Sequence, residues 1–240
     1  MISHEHKVIF IHIPKCAGSS IEKYFGVKPF DTKIPNYDTL CGWDESLGIH
    51  LQHATAKELL ENNLISKSTW DSYFKFAFIR NPWDRAVSDY YWLTKELNVS
   101  DKFENFIQKR GAFRKFFNNK NEITYRGDHL RPQIDYVKIN DSLAVDFVGR
   151  FEDFGSDFKY VKEILGLNAE MLFHANKTKK KFAHYSHFYN RKKKKLIEDL
   201  YKDDIEEFNY DFVDHRYNYD HIMYCKYKIF NKLNKIFKIK

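Results

Sequence analysis

The stretch V-I-F-I-H-I-P-K-C-A-G-S-S-I-E-K-Y-F, residues 8–25, decides the fold. Val8 to Ile13 is a short apolar run rich in β-branched residues and ended by Pro14, the pattern of a strand buried in a parallel sheet. Beyond the turn, Ile21, Tyr24 and Phe25 recur at helical spacing, so the segment reads strand, turn, helix. The turn is chemically pointed. Gly18 lets backbone approach a ligand, and the amides opening the helix face an anion. Lys15 adds a full charge, the Ser19 and Ser20 hydroxyls can donate to phosphate or sulfate oxygens, and Cys16 and Ala17 complete the loop.

The same pattern recurs outward from this segment. Phe74 to Ile79 is a second buried strand closed by Arg80-Asn81-Pro82, and Trp83 to Leu97 reads as a helix with Pro82 near its first turn. Val145 to Phe151 is a third strand-like run, followed by a helix to about Leu165. His53 to Asn62, Phe103 to Phe117 and the amphipathic stretch Arg191 to Glu207 read as further helices, with a polar loop from Asn118 to Arg126. A loop from Val27 to Gly48, carrying Pro29, Pro35, Gly42 and Gly48, is too long for an ordinary connector and reads as part of a site's rim. Strands alternating with helices predict a three-layer α/β fold with a mostly parallel central sheet and a ligand at the C-terminal strand ends. With neither a repeat nor a linker, residues 1–240 are expected to form one domain, its core at about residues 7–212 and a basic extension over 213–240.

Composition excludes some classes. Hydrophobic residues at 43% and aromatic residues at 18% exclude a disordered chain. A net charge of +7 attracts anions, whether nucleic acid, acidic lipid, polyanionic glycan or nucleotide phosphate. Cys16, Cys41 and Cys225 are odd in number and far apart, which suggests neither a disulfide framework nor a zinc site and fits a reducing compartment. With no signal-peptide pattern and no apolar run of membrane-spanning length, the expected location is cytoplasmic. The Lys- and Phe-rich end from Tyr217 to Lys240 is a candidate for peripheral contact with an anionic membrane.

The loop departs from the G-x-x-x-x-G-K-[ST] pattern of nucleotide triphosphatases, because its Lys precedes the Gly and a second Gly is missing. Instead H-I-P-K-C-A-G-S-S, residues 12–20, resembles the 5′-phosphosulfate loop of sulfotransferases that use 3′-phosphoadenosine 5′-phosphosulfate (PAPS), in particular the branch containing heparan sulfate 2-O-sulfotransferase, chondroitin 4-O-sulfotransferase and their bacterial relatives. The resemblance implies a P-loop nucleotide-kinase-like fold, PAPS as donor, adenosine 3′,5′-bisphosphate as product, and no metal. F-A-F-I-R-N-P-W-D-R-A-V-S-D-Y-Y, residues 76–91, resembles the same family's 3′-phosphate motif and implies that Arg80 and Ser88 hold that phosphate. An Arg fork suits the task because it offers two parallel charge-assisted hydrogen bonds. Arg85 is read as structural, pairing with Asp84 or Asp89.

G-I-H-L-Q-H-A-T-A-K-E-L, residues 48–59, is similar to the family segment in which a His before a helix is the base. That role goes to His53, with His50 as reserve and acceptor contact, while Lys15 stabilises the departing bisphosphate. In H-L-R-P-Q, residues 129–133, Arg131 is expected to face the acceptor. In N-K-T-K-K-K, residues 176–181, Lys177 and Thr178 are expected donor contacts. In V-G-R-F-E-D-F, residues 148–154, Arg150 and Glu152 are read as structural. The expected reaction moves a sulfuryl group to a hydroxyl of a carbohydrate, with the nucleotide donor and a glycan as partners and no nucleic acid. Two alternatives stay open: a nucleoside or sugar kinase on a similar sheet, and a non-catalytic basic protein that binds polyanions.

Overall fold

Three apolar runs make the sheet, and their pairing is parallel. In the computed structural model, which describes residues 1–27, 34–167 and 183–216, the fully buried strand Val8–Ile11 lies beside Phe74–Ile79, with Val8 opposite Phe74 and Ile11 opposite Ala77. Phe74–Ile79 pairs in turn with Phe147–Arg150, Phe76 facing Phe147 and Ile79 facing Arg150. A fourth strand, Ile2–Ser3, adds antiparallel to the outer edge of Val8–Ile11. Because the three parallel strands run the same way in register, the segments leaving them after Ile11, Ile79 and Arg150 emerge at one end of the sheet, as the α/β pattern requires.

Helices flank this sheet, and phenylalanines fill the space beneath them. Phe76 and Phe78 share a face by strand alternation. Phe154 and Phe158 of the helix Phe154–Ile164 pack on Phe78 with ring centroids 4.9 and 6.3 Å away, and Phe25 closes on Phe76 at 6.2 Å. Gly149 makes room for this, since a Cβ there would sit 2.6 Å from the Phe78 ring. The helix Pro82–Glu96 starts on the Asn81 side chain, which accepts from the amides of Trp83 and Asp84, with Pro82 in the first turn.

Three predicted helices need correction. Phe103 to Phe117 is not continuous. It splits into Phe103–Ile107, a 3-10 turn Gly111–Phe113, and Arg114–Asn118, because Lys109 and Gly111 take left-handed φ values of 53° and 57° while the Asp101 carboxylate accepts from the Lys102 and Ala112 amides. Arg191 to Glu207 breaks at Tyr201 into Arg191–Leu200 and Lys202–Glu207, which buries both Tyr201 and Asp204. The helix expected from His53 begins later, at Ala56, where Thr55 and Glu58 form a reciprocal capping box. His53 itself ends the preceding 3-10 turn Leu51–His53. Among the described residues, no helix is long and apolar enough to cross a membrane. Lys177, Thr178 and the segment 217–240 lie outside the described residues.

Candidate active site

The loop after the first strand turns sharply through two non-glycine residues, Lys15 and Ala17, with φ of 69° and 70°. Ala17 is the residue before the helix Gly18–Tyr24 and has no side chain with which to cap it, and its carbonyl accepts from the Ser20 and Ile21 amides at 3.0 and 3.3 Å. Gly18 is needed here for a reason other than the one its sequence context suggests. A Cβ on Gly18 would fall 1.9 Å from His12 Nε2, so the residue is small because the His12 ring lies on it. The other nitrogen of that ring, Nδ1, bonds Glu22 Oε1 at 2.7 Å, tying the strand end to the helix. Burial alone would raise the Glu22 carboxyl, but its partner His12 holds it down at about 2.

Lys15 and Arg80, read from separate motifs, meet at this loop. Arg80 reaches across from the second strand end and donates from its NH1 group to the Lys15 carbonyl at 2.9 Å. Its Nε and NH2 groups donate to Asp84 Oδ2 at 3.0 and 2.7 Å, and the guanidinium lies 4.1 Å from the Phe151 ring centroid. Ser88, half-buried, stands one helical turn beyond Asp84 on the same face. The Lys15 ammonium lies 4.7 Å from the Trp92 ring centroid, and burial lowers its pKa against the opposing pull of Asp89. Ser19 is exposed and Ser20 half-buried at the mouth of the loop. Cys16 is buried, and burial pushes its thiol up to about 12, which removes it as a nucleophile.

Beside this loop stands a histidine cluster. The His53 ring lies 5.0 Å from His12 and 5.1 Å from His129, edge to face with each. His53 Nδ1 forms a short hydrogen bond to Asp128 Oδ2, and His129 Nδ1 bonds Asp89 Oδ1 at 2.8 Å. Burial, the largest influence, lowers the His53 pKa despite Asp128, so the imidazole is neutral. Burial would raise the Asp128 carboxyl, yet the surrounding histidines hold it well below the usual carboxylate range, so it is ionised. His50 is different. It lies tilted against Trp43 with ring centroids 4.9 Å apart, its Nε2 meets the Tyr125 carbonyl at 3.1 Å and Arg126 at 2.7 Å, and burial lowers its pKa to about 4.

Residues 1–211 match the model of the sulfotransferase family. The chain belongs to the sulfotransferase family. It is also 30% identical over 111 residues to an uncharacterized protein of Archaeoglobus fulgidus, a match covering 45% of this chain and 81% of that relative. No solved structure matches it. As a member of this family, the protein is a transferase of sulfuryl groups.

In this sulfotransferase, two arginines have protein partners that their motifs did not suggest. Arg131, expected at the acceptor, gives both terminal nitrogens to Glu58 at 2.9 Å each, which braces the helix that follows His53. Arg85 pairs with neither Asp84 nor Asp89. Buried to 1% exposure, it donates to the carbonyls of Pro14, His129 and Arg131 at 3.2, 2.9 and 3.1 Å, joining the loop to the His129 segment. Arg150 and Glu152 are structural as read: Arg150 donates to the Phe208 carbonyl, and Glu152 accepts from the Asn81 amide and the Tyr210 hydroxyl.

Sequence reasoning missed the residues that wire this candidate site together, namely Asp89, Trp92, Asp128, His129 and Gln133. Gln133 is fully buried. Its Oε1 accepts from the Arg80 amide at 2.8 Å and the Cys16 thiol at 3.4 Å, while Nε2 donates to the Arg80 carbonyl at 2.9 Å. It therefore fixes both halves of the loop–Arg80 junction at once. The one local signal was the run Asp128-His129-Leu130-Arg131-Pro132-Gln133, whose polar residues are buried against expectation.

Proposed function

We propose that this sulfotransferase takes its sulfuryl group from PAPS and transfers it to a hydroxyl of a carbohydrate, with His53 as general base. The observation that carries the reading is the buried His53–Asp128 pair beside Lys15 and Arg80. With Nδ1–H donated to an ionised Asp128, the lone pair of His53 is placed on Nε2, the nitrogen free to accept a proton. The acceptor O–H gives its proton to Nε2, and its oxygen attacks sulfur. The bond between sulfur and the bridging phosphate oxygen breaks, and its electron pair leaves on adenosine 3′,5′-bisphosphate. Asp128 then stabilises the imidazolium, as the buried carboxylate of a Ser-His-Asp triad does.

Lys15 meets the charge growing on the departing phosphate, assisted by the Gly18 and Ser19 amides of the loop. Arg80 and Ser88 are assigned to the 3′-phosphate, and Lys177 and Thr178 to closing over the donor. His50, neutral and locked against Trp43, is assigned to the acceptor wall rather than to proton transfer. A glycan acceptor rests on the resemblance to the carbohydrate branch and on the net charge of +7.

Sulfur-labelled PAPS incubated with a panel of neutral and anionic glycans tests the reading. Label is expected on at least one glycan, and His53→Ala is expected to lower the rate about a hundredfold to ten-thousandfold while still binding the bisphosphate. Transfer by His53→Ala at the wild-type rate would remove His53 from the mechanism.

A further inference from the structure

The histidine cluster contains polar atoms that the proposed proton transfer leaves without a partner. His129 is 4% exposed and Asp128 6%, yet His129 Nε2 and Asp128 Oδ1 are both buried without a hydrogen bond among the described residues. Such atoms are costly unless something occupies the space between them. His53, Asp128 and His129 each offer a ligand atom, and these atoms lie within 4.8 Å of one another. His129 has the arrangement of a metal ligand in particular. Its Nδ1–H is donated to a carboxylate, Asp89, which leaves the Nε2 lone pair turned inward, the outer-shell pattern that fixes metal-binding imidazoles.

From these atoms we infer that His53, Asp128 and His129 form a site for a divalent transition-metal ion of the zinc class, and that occupation of this site switches off the base. Two imidazoles and one carboxylate suit zinc, with a fourth position left for water, and do not suit magnesium or calcium, which take oxygen ligands. The charges of Asp128 and Asp89 together match a dication. Arg126 and Lys109 both act on Asp128 or its neighbours and oppose the ion, which weakens its binding. Ligand atoms of a tetrahedral zinc lie closer together than 4.8 Å, so the His129 and His53 rings must draw inward on binding.

The effect on the base follows from imidazole chemistry whichever nitrogen of His53 binds. If the ion takes Nδ1, the ring proton moves to Nε2 and the lone pair facing the acceptor is lost. If the ion takes Nε2, that lone pair lies in the metal bond. This consequence rests on the reading of His53 as base, whereas the binding itself does not.

Metal-stripped full chain is titrated with zinc by calorimetry and against a chromogenic chelator, and cobalt is substituted for its visible spectrum. One zinc per chain is expected, undisturbed by excess magnesium, lost in His129→Gln and His53→Asn and retained in His4→Ala. In the wild-type chain, zinc is expected to shield His53, the half-buried ligand, from acylation by diethyl pyrocarbonate, a readout that needs no variant to fold. Stoichiometric zinc is expected to lower sulfuryl transfer at least about a hundredfold, with recovery on chelation. Absence of binding, or binding unchanged in both His129→Gln and His53→Asn, would overturn the site. Binding that protects His53 while transfer continues would overturn the switch and also count against His53 as base.

Discussion

Truncating Gln133 to Ala should be among the most damaging single changes in the protein. The side chain is fully buried and makes four hydrogen bonds, to the Arg80 amide and carbonyl, the Cys16 thiol and Asp204. Asp204 keeps its bonds from the amides of Gln133 and Ile134, so its loss is minor. The Arg80 amide and carbonyl are left without partners, at about 1–3 kcal/mol each, and the cavity adds roughly another 1 kcal/mol. The expected loss is therefore about 3–7 kcal/mol, a large part of the roughly 5–15 kcal/mol that holds a domain folded. Urea unfolding followed by circular dichroism measures it, with an unchanged slope confirming that only stability moved. Gln133→Glu is a second probe, since it would set another carboxylate about where Nε2 lies 3.4 Å from Asp204. A loss below about 1 kcal/mol in Gln133→Ala, with donor affinity unchanged, would refute the claim that Gln133 fixes the loop–Arg80 junction.

Asp128→Asn replaces the anion that orients His53, and the rate of transfer is expected to drop about a hundredfold to ten-thousandfold with bisphosphate affinity intact; steady-state kinetics beside calorimetry separates the two. Gly18→Ala would drive a methyl into the His12 ring, 1.9 Å away, and loss of about 1–3 kcal/mol is expected together with weakened donor binding, read by thermal unfolding and titration. Acid should destabilise the fold early. The His50 pKa falls from 6.5 to about 4 on folding, so the unfolded chain takes up protons first and stability declines as pH drops from 6.5 toward 4, by about 3 kcal/mol from this residue alone. Glu22, depressed from 4.5 to about 2, extends the decline below pH 4.5. Denaturation midpoints that stay level from pH 7 to pH 4 would contradict this.

The buried strands were legible because parallel strands carry uninterrupted apolar runs, and Phe74–Ile79 occurs with the boundaries read from sequence. Pro82 marked the start of its helix for a similarly local reason. The two-residue edge strand Ile2–Ser3 carries no periodicity to detect, and the break at Tyr201 arises from burying Tyr201 and Asp204 rather than from any helix-breaking residue. The pattern placed Lys15 and Arg80 each after a strand end, and the structure brings them together, Arg80 donating to the Lys15 carbonyl. Asp128 and His129 were not legible, because their partners His53 and Asp89 are 75 and 40 residues away and no local rule couples them. The Arg131 partner was hidden for the same reason, since Glu58 lies 73 residues away in sequence.

The central claim is that Lys15, the loop after the first strand and Arg80 bind a 3′,5′-bisphosphorylated nucleotide. Calorimetric titration of the metal-free protein with adenosine 3′,5′-bisphosphate, beside adenosine 5′-monophosphate and ATP with magnesium, tests it most directly. Micromolar binding of the bisphosphate is predicted, lost in Arg80→Ala and not seen with the monophosphate. No binding of the bisphosphate, or a preference for ATP with magnesium, would contradict it.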